Sequence, residues 1–130
     1  MQKQLNQVAE FYNNFGQTVR DRPQFPSSDT LVLRQVILQE EVTELEMASL
    51  KRDMVAATDA VCDILYVLLG TAHELGLGPV LEKCFDEVHR SNMSKLDQDG
   101  KPIYRTDGKV LKGPNYSKPE LSSIISENCY

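Results

Sequence analysis

Hydrophobic residues recur at three- and four-residue steps along most of residues 1–90, and this spacing marks one face of an α-helix. The first set predicts an amphipathic helix over the first fifteen to twenty residues. Its apolar positions are Leu5, Val8, Tyr12, Phe15 and Val19. Prolines at positions 23 and 26 end this helix, because proline lacks the backbone N–H that a helix interior needs.

Two longer helices are predicted on either side of a short polar joint at residues 51–53. The segment PSSDT supplies an N-cap for a second helix from Thr30 to Arg52. The third helix, from Met54 to Leu75, is apolar nearly all round. Because a helix without a polar face is usually covered on most sides, we expect the third helix to be largely buried.

A fourth, shorter helix is predicted to follow Pro79, and the character of the chain changes after Leu96. Residues 97–130 are rich in Gly, Pro, Asp and Lys, and two Asp-Gly pairs predict turns with a small hairpin around Tyr104 and Val110. The chain therefore predicts an all-α, four-helix-bundle-like domain with a core at residues 1–96 and an irregular C-terminal arm at 97–130. Since four short helices offer little cover for the third, we expect a homodimer that completes the bundle.

The composition of the chain argues against nucleic-acid binding and membrane binding. The chain has 130 residues, of which 41% are hydrophobic, and a formal net charge of -5. Without a basic stripe it is expected to bind neither nucleic acid nor a membrane surface. No apolar run is expected to reach membrane-spanning length, and the segment MQKQLNQVAE lacks the apolar core of a signal peptide. Three cysteines without metal or disulfide spacing suit a reducing compartment, so a cytoplasmic location is predicted.

The first candidate functional residues lie in the segment LQEEVTELEM, residues 38–47. This segment has four glutamates and no lysine or arginine. At about 100° per residue, Glu40, Glu41 and Glu44 occupy one arc of about 100° beside the apolar stripe. Glu46 falls on the opposite side and is expected to be solvated. Like charges at this spacing repel one another, so a cation is expected to offset them.

The third helix repeats this feature with Asp59 and Asp63, which lie about 40° apart. Unpaired carboxylates are costly in a buried helix. One interpretation is an ordinary solvated face, with Asp59 in an exposed first turn. The other is a site for Mg²⁺ or Mn²⁺ between the second and third helices, since hard cations prefer carboxylate oxygens and bind substrate phosphates as well.

The acidic pattern resembles the all-α nucleoside triphosphate pyrophosphohydrolases, the superfamily of MazG, dimeric dUTPases and phosphoribosyl-ATP pyrophosphohydrolase. The motif EExxE at residues 40–44, followed by Asp59 and Asp63, carries the resemblance. The phrases DILYVLLGTA, EVHRSNMSKLD and DGKVLKGPNY are similar to one bacterial and phage branch. The chain departs from the pattern at one place: MazG-type members commonly have ExxD in the second acidic helix, whereas Ala60 stands three residues before Asp63.

The resemblance implies a MazG-type fold, a homodimer or dimer of dimers, and a Mg²⁺ cofactor, with Mn²⁺ as a substitute. It implies that Glu41, Glu44 and Asp63 hold the metal. Glu40 and Asp59 complete the cluster, either as ligands or as the base that orients water. The implied reaction cleaves a nucleoside triphosphate between its α- and β-phosphates, giving nucleoside monophosphate and pyrophosphate, as in house-cleaning of the nucleotide pool.

The resemblance also covers an NxxK feature, which appears as Asn92 and Lys95. These residues are implied to bind the phosphates or sugar of the substrate, and their spacing places them on one helix face. The alternative is that Asn92 caps the end of the fourth helix and Lys95 is solvated.

Other functions remain open from the sequence. Phosphoribosyl-ATP is the second candidate substrate, and a non-catalytic helical dimerisation or regulatory module is the alternative outside the enzymes. A di-iron bundle is disfavoured, because only one near match to the required Glu-x-x-His pairs is present. Base preference stays unassigned, since the aromatic residues suit either a core or base stacking. They are Phe11, Tyr12, Tyr66 and Tyr104.

Overall fold

A computed structural model describes residues 1–128 of the chain. Chain contacts separate it into two compact units, Met1–Pro79 and Val80–Tyr130. The predicted division into a core at residues 1–96 and an arm at 97–130 stays a prediction. All regular elements in the described residues are helices, which confirms the all-α class.

The first unit contains α1 (Gln2–Asn14), α2 (Ser28–Lys51) and α3 (Met54–Glu74). Ser27 caps α2, where its hydroxyl oxygen accepts the Thr30 N–H at 3.2 Å. Arg52 ends α2 in the left-handed region with φ 54°, and Asp53 then caps α3 by accepting the Ala56 N–H at 3.1 Å. This two-residue connection folds α2 and α3 into an antiparallel hairpin, as the polar joint predicted.

The core of the first unit lies along α3, which packs against both α1 and α2. The irregular segment after α1 is fixed to the end of α3, where the Arg20 N–H donates to the His73 carbonyl at 3.1 Å. Gly76 has φ 67°, and any side chain there would overlap the carbonyl oxygen of Arg22. The buried apolar side chains of this unit are Leu5, Val8, Tyr12, Ala48, Ala60, Val67, Leu69 and Ala72.

The third helix is buried over only half of its length, which corrects the expectation that it is covered on most sides. Six of its seven buried residues lie between Val67 and Glu74. In the first half, Met54 is 78% and Val55 82% exposed. The reason is that α1 packs against the second half of α3, where Leu5 meets His73 and Tyr12 meets Gly70, whereas the first half has its neighbours on α2.

The same helix corrects a second expectation. By length and composition alone, α3 is long and apolar enough to cross a membrane. The core helix of a soluble protein passes the same test, and this helix carries Asp59 and Asp63 within its span. The absence of a membrane partner and the cytoplasmic location both stay predictions.

The second unit contains α4 (Leu81–Met93), an irregular arm and a short α5 (Ser122–Ser126) that the sequence did not predict. The predicted hairpin is present as an isolated antiparallel bridge between Tyr104 and Val110. The arm is attached to α4 by hydrogen bonds. The Glu87 carboxylate accepts the Glu120 N–H at 2.8 Å, and Ser94 Oγ accepts the Ser117 N–H at 2.9 Å.

Candidate active site

The acids of α2 and α3 meet at the end of the helical hairpin. Because the two helices run antiparallel from the joint at residues 52–53, Glu44 lies across from Asp59, and Glu41 lies across from Asp63 one turn further along. A cleft of about 260 Å³ opens between the helices at this end. Its lining residues are Thr43, Glu44, Met47, Ala48, Lys51, Asp53, Ala56 and Asp59.

Glu41 is the centre of the acidic group. Its carboxyl is partly buried, and burial is the largest cause that raises its pKa above the ordinary value. The negative charges of Glu44, Asp63, Glu40 and Asp59 raise that pKa further, in that order of size. All the causes act in one direction, so among residues 1–128 no cation offsets the clustered charge at Glu41. The structure therefore brings together all five acids that the sequence singled out.

The five acids are neighbours, but they are not preassembled as ligands. Within residues 1–128, no three Asp, Glu, His or Cys side chains are placed closely enough to surround a metal ion. Their chemistry nevertheless fits a hard divalent cation, because the group offers only carboxylate oxygens and carries uncompensated negative charge. The metal roles of these residues stay predictions.

The departure from the ExxD pattern has a structural reason. Ala60 occupies the position where the resembling proteins carry the acid, and it is 2% exposed. A carboxylate at that position would be desolvated within the packed face of α3. Asp59, one residue earlier, is exposed and lines the cleft between α2 and α3. In this chain the acid therefore stands at the adjacent position, which is in contact with water.

Asn92 and Lys95 lie in the second unit, at the end of α4. Lys95 Nζ donates to Asn92 Oδ1 at 2.7 Å, which confirms that the two side chains share one face. The alternative that Asn92 caps the helix does not describe this geometry, because the C-cap is Ser94 and the Asn92 amide oxygen binds Lys95. Their contact with substrate stays a prediction.

Sequence reasoning missed how the arm is held against this pair of residues. The Gly113 N–H donates to the Lys95 carbonyl at 2.9 Å, and a side chain at position 113 would collide with the Lys95 and Leu96 carbonyl oxygens. Gly113 lies within the phrase DGKVLKGPNY, so the glycine is the only signal in the sequence for this close approach.

Arg34 is the second residue that the sequence did not single out. Its guanidinium donates to the Val67 carbonyl at 2.9 Å and to Thr71 Oγ1 at 3.2 Å. It also lies 5.8 Å from the centre of the Tyr12 ring. Arg34 precedes Glu41 by two helical turns, so it shares the face of α2 that meets α3. The spacing from Glu41 indicates that Arg34 faces α3, although the residues that Arg34 contacts are distant in the sequence.

A protein-family model matches most of the chain. A family model described as phosphoribosyl-ATP pyrophosphohydrolase matches residues 8–92, which is more than half of the chain. The matched segment contains all five acids and ends at Asn92, so Lys95 and the arm lie beyond it. No curated protein matches the sequence.

Proposed function

The chain belongs to the phosphoribosyl-ATP pyrophosphohydrolase family, within the MazG-like superfamily, and from that membership we propose a Mg²⁺-dependent nucleoside triphosphate pyrophosphohydrolase. Membership by itself supports a pyrophosphohydrolase activity. The proposed reaction cleaves between the α- and β-phosphates and releases nucleoside monophosphate and pyrophosphate. The observation that carries the proposal is the group of five carboxylates that α2 and α3 bring together at their shared cleft, where burial and the neighbouring acids raise the pKa of Glu41.

Glu41 and Glu44 on α2 face Asp63 on α3 across the helical hairpin, so these three carboxylates would hold Mg²⁺, or Mn²⁺ in its place. Asp59 completes the set from the rim of the cleft. The cation would supply positive charge that neutralises the carboxylates and the phosphate chain together.

Glu40 is the acid that we assign to the attacking water. Its side chain is exposed and lies on the same arc of α2 as Glu41 and Glu44. There it can accept a proton from the attacking water. No protein nucleophile is required, because water attacks the α-phosphorus and pyrophosphate leaves.

Two substrate classes share the required phosphate chain. The family match supports phosphoribosyl-ATP, which is the second candidate substrate. The arm favours ordinary nucleoside triphosphates, because residues 97–128 lie beyond the matched segment and are hydrogen-bonded to Glu87, Ser94 and Lys95. Asn92 and Lys95 would then contact phosphate or sugar.

A homodimer, or a dimer of dimers, completes the proposal. The first half of α3 and the end of α2 leave large apolar side chains exposed. Examples are Leu50 at 72%, Met54 at 78% and Val55 at 82%. A second copy of the chain would cover them, and sedimentation equilibrium should give at least twice the monomer mass.

The test is a panel of canonical and damaged nucleoside triphosphates and phosphoribosyl-ATP, incubated with Mg²⁺ and scored for pyrophosphate and orthophosphate. Wild type and the control Glu46→Ala should release pyrophosphate, whereas Glu44→Ala should be inactive. Glu46 is the matched control because it is exposed and outside the acidic arc. Release of orthophosphate alone would contradict the proposal, and so would equal inertness of wild type and Glu44→Ala, which would favour a non-catalytic helical module.

A further inference from the structure

A second cleft, of about 240 Å³, lies in the first unit, where the start of α1 and the end of α3 meet the segment around residue 20. We call it the histidine cleft, and its walls include Leu5, Val19, Arg20, His73, Gly78 and Pro79. His73 follows Asp63 by ten residues, which is about 15 Å along α3. The histidine cleft is therefore separate from the candidate active site.

His73 brings a buried hydrogen-bond acceptor to this cleft. The side chain is 6% exposed, and its Nε2 atom lies 2.9 Å from the carbonyl oxygen of Leu5. Because a carbonyl oxygen can only accept, Nε2 carries the hydrogen, and Nδ1 of the neutral ring is an acceptor. Nδ1 is buried and has no hydrogen-bond partner among residues 1–128. A donor that reached Nδ1 would therefore satisfy a polar atom that is unfavourable to bury alone.

Gly78 covers this acceptor without a side chain. It lines the histidine cleft and lies against the Nδ1–Cε1 edge of His73. A Cβ atom at position 78 would stand 3.2 Å from Nδ1 and 3.3 Å from Cε1, which is tighter than ordinary van der Waals contact. Because glycine has no such atom, a small shift of the backbone at this position would let a ligand donor reach Nδ1, whereas an alanine would obstruct it.

The charged residues of the histidine cleft already have partners. The Arg20 guanidinium pairs with the Glu74 carboxylate at 2.5 Å and donates to the Glu74 carbonyl oxygen at 2.8 Å. Asp21, which also lines the cleft, lies 3.7 Å from the Nε atom of Arg22. These pairs favour a neutral ligand over an ionic one.

The remaining walls and the size of the cleft favour a small, mostly apolar molecule. Leu5 is 1% exposed, and Val19 and Pro79 add further apolar surface. Apolar cavities of about 150 Å³ hold benzene. A cleft of about 240 Å³ is therefore large enough for a molecule of two fused rings.

We propose that the histidine cleft is a second binding site of this protein, for a small neutral aromatic molecule that donates one hydrogen bond, from N–H or O–H, to His73 Nδ1. The ligand lies between α1, the end of α3 and the segment that joins α1 to α2. A ligand that binds only the folded chain stabilises it, so an occupied cleft raises the melting temperature. The site does not depend on the proposed reaction.

The first experiment compares indole with indene, which has nearly the same shape but no N–H, in NMR titrations of the full chain. Indole should bind saturably and about ten-fold more tightly than indene, the gain expected from one hydrogen bond to a buried acceptor. In protein labelled with ¹⁵N-histidine, indole but not indene should shift the Nδ1 resonance of His73, and the exposed His89 is the internal control.

Two results of this titration would overturn the proposal. Absence of saturable indole binding would leave Nδ1 to water alone. Equal affinity for indole and indene, with an unchanged Nδ1 resonance, would show that the probes do not bind through His73. Because the titration contains no triphosphate, neither result bears on the proposed hydrolysis.

Two variants then locate the bound indole. His73→Gln keeps an N–H that can donate to the Leu5 carbonyl but places no nitrogen at the position of Nδ1, so it should lose most of the preference for indole over indene. Gly78→Ala should weaken indole binding by about ten-fold, because its methyl group stands against Nδ1. The matched control His89→Gln should bind both probes as wild type does.

A wild-type preference for indole in folded His73→Gln would overturn the proposal. The histidine spectrum of the wild-type protein decides the question where a variant does not fold.

Discussion

The two halves of the α2/α3 hairpin are built from the same pair of helices but have opposite characters. The closed half, residues 28–37 and 67–74, is held by Arg34, whose guanidinium joins α2 to the Val67 carbonyl and Thr71. Here α3 buries most of its residues, including Gly70 and His73. The open half, residues 38–51 and 54–66, contains the five acids and highly exposed apolar side chains.

The difference separates the half that stabilises the fold from the half that holds the candidate active site. In the closed half, the Nε2 atom of His73 binds the Leu5 carbonyl at 2.9 Å, and Arg20 pairs with the buried Glu74 at 2.5 Å. In the open half, burial first and then the neighbouring negative charges raise the pKa of Glu41. Groups with strained electrostatics concentrate at functional sites, and the well-packed half supplies the stability that tolerates them.

The largest expected effect comes from Glu41→Gln in the open half. The substitution should lower kcat/KM for triphosphate hydrolysis by about 100-fold or more, since it removes a central carboxylate of the proposed site. Without Mg²⁺ it should leave the melting temperature unchanged or higher, because it relieves repulsion from Glu44 and Asp63. Steady-state kinetics and thermal unfolding test this, with Glu46→Gln as the matched control. Full activity of a folded Glu41→Gln variant would show that the open half is not the active site.

Mg²⁺ should stabilise the open half. At one hundred times its dissociation constant, a bound cation adds about 2.7 kcal/mol to the free energy of unfolding. Wild type should therefore melt at higher temperature with Mg²⁺ than with a chelator, and Asp63→Asn should lose most of the difference. Differential scanning calorimetry with matched ionic strength distinguishes binding from screening. An equal shift with a monovalent salt of the same ionic strength would show that the acids are an ordinary charged surface.

The closed half should respond to changes in volume. A methyl group at Gly70 would overlap Tyr12 Oη, so Gly70→Ala should lower the free energy of unfolding by about 1–3 kcal/mol. Tyr12→Phe should recover part of this loss, because it removes the nearest overlapping atom, a buried hydroxyl without a hydrogen-bond partner among residues 1–128. Tyr12 Cζ and Arg34 Nη2 would remain within 3 Å of the added methyl group.

Denaturant unfolding of the two single variants and the double variant measures the coupling between the two positions. Thr58→Ala, at an exposed site in the open half, should change the free energy of unfolding by less than about 0.5 kcal/mol. Additive effects of Gly70→Ala and Tyr12→Phe would contradict the close packing described for this half.

The smallest expected effect is a difference in pH dependence between two carboxylates. Glu87 pairs with Arg90, whereas Glu41 has acidic neighbours. Hydrogen bonding to Arg90 lowers the pKa of Glu87 from 4.5 to about 2. The stability from this contact is therefore present above pH 4.5 and is lost as the pH falls toward 2. The pKa of Glu41 is raised, so its ionisation opposes folding, and Glu41→Gln should stabilise more at pH 7 than at pH 4.

Unfolding of wild type, Glu87→Gln and Glu41→Gln from pH 3 to pH 7 measures the two opposite trends. Glu87→Gln should flatten the acid limb of the stability profile. Parallel pH profiles for the two variants would show that the local charges do not distinguish these carboxylates.

The sequence predicted the features that depend on local spacing. The joint at residues 52–53, the shared arc of Glu40, Glu41 and Glu44, and the pairing of Asp59 with Asp63 all follow from helical periodicity and capping. The exposed first half of α3 was not predicted, because periodicity shows which residues are apolar but not whether a neighbour covers them. Arg34 and Gly113 were missed for a related reason, since Val67 and Lys95 become their partners only in three dimensions.

The central claim is that the acids of the open half direct water to the α-phosphorus of a nucleoside triphosphate. Hydrolysis of the best substrate with Mg²⁺ in ¹⁸O-enriched water, followed by mass spectrometry of both products, tests it most directly. We predict that the nucleoside monophosphate carries one ¹⁸O and that pyrophosphate carries none. Label in pyrophosphate, or nucleoside diphosphate with labelled orthophosphate, would contradict the account.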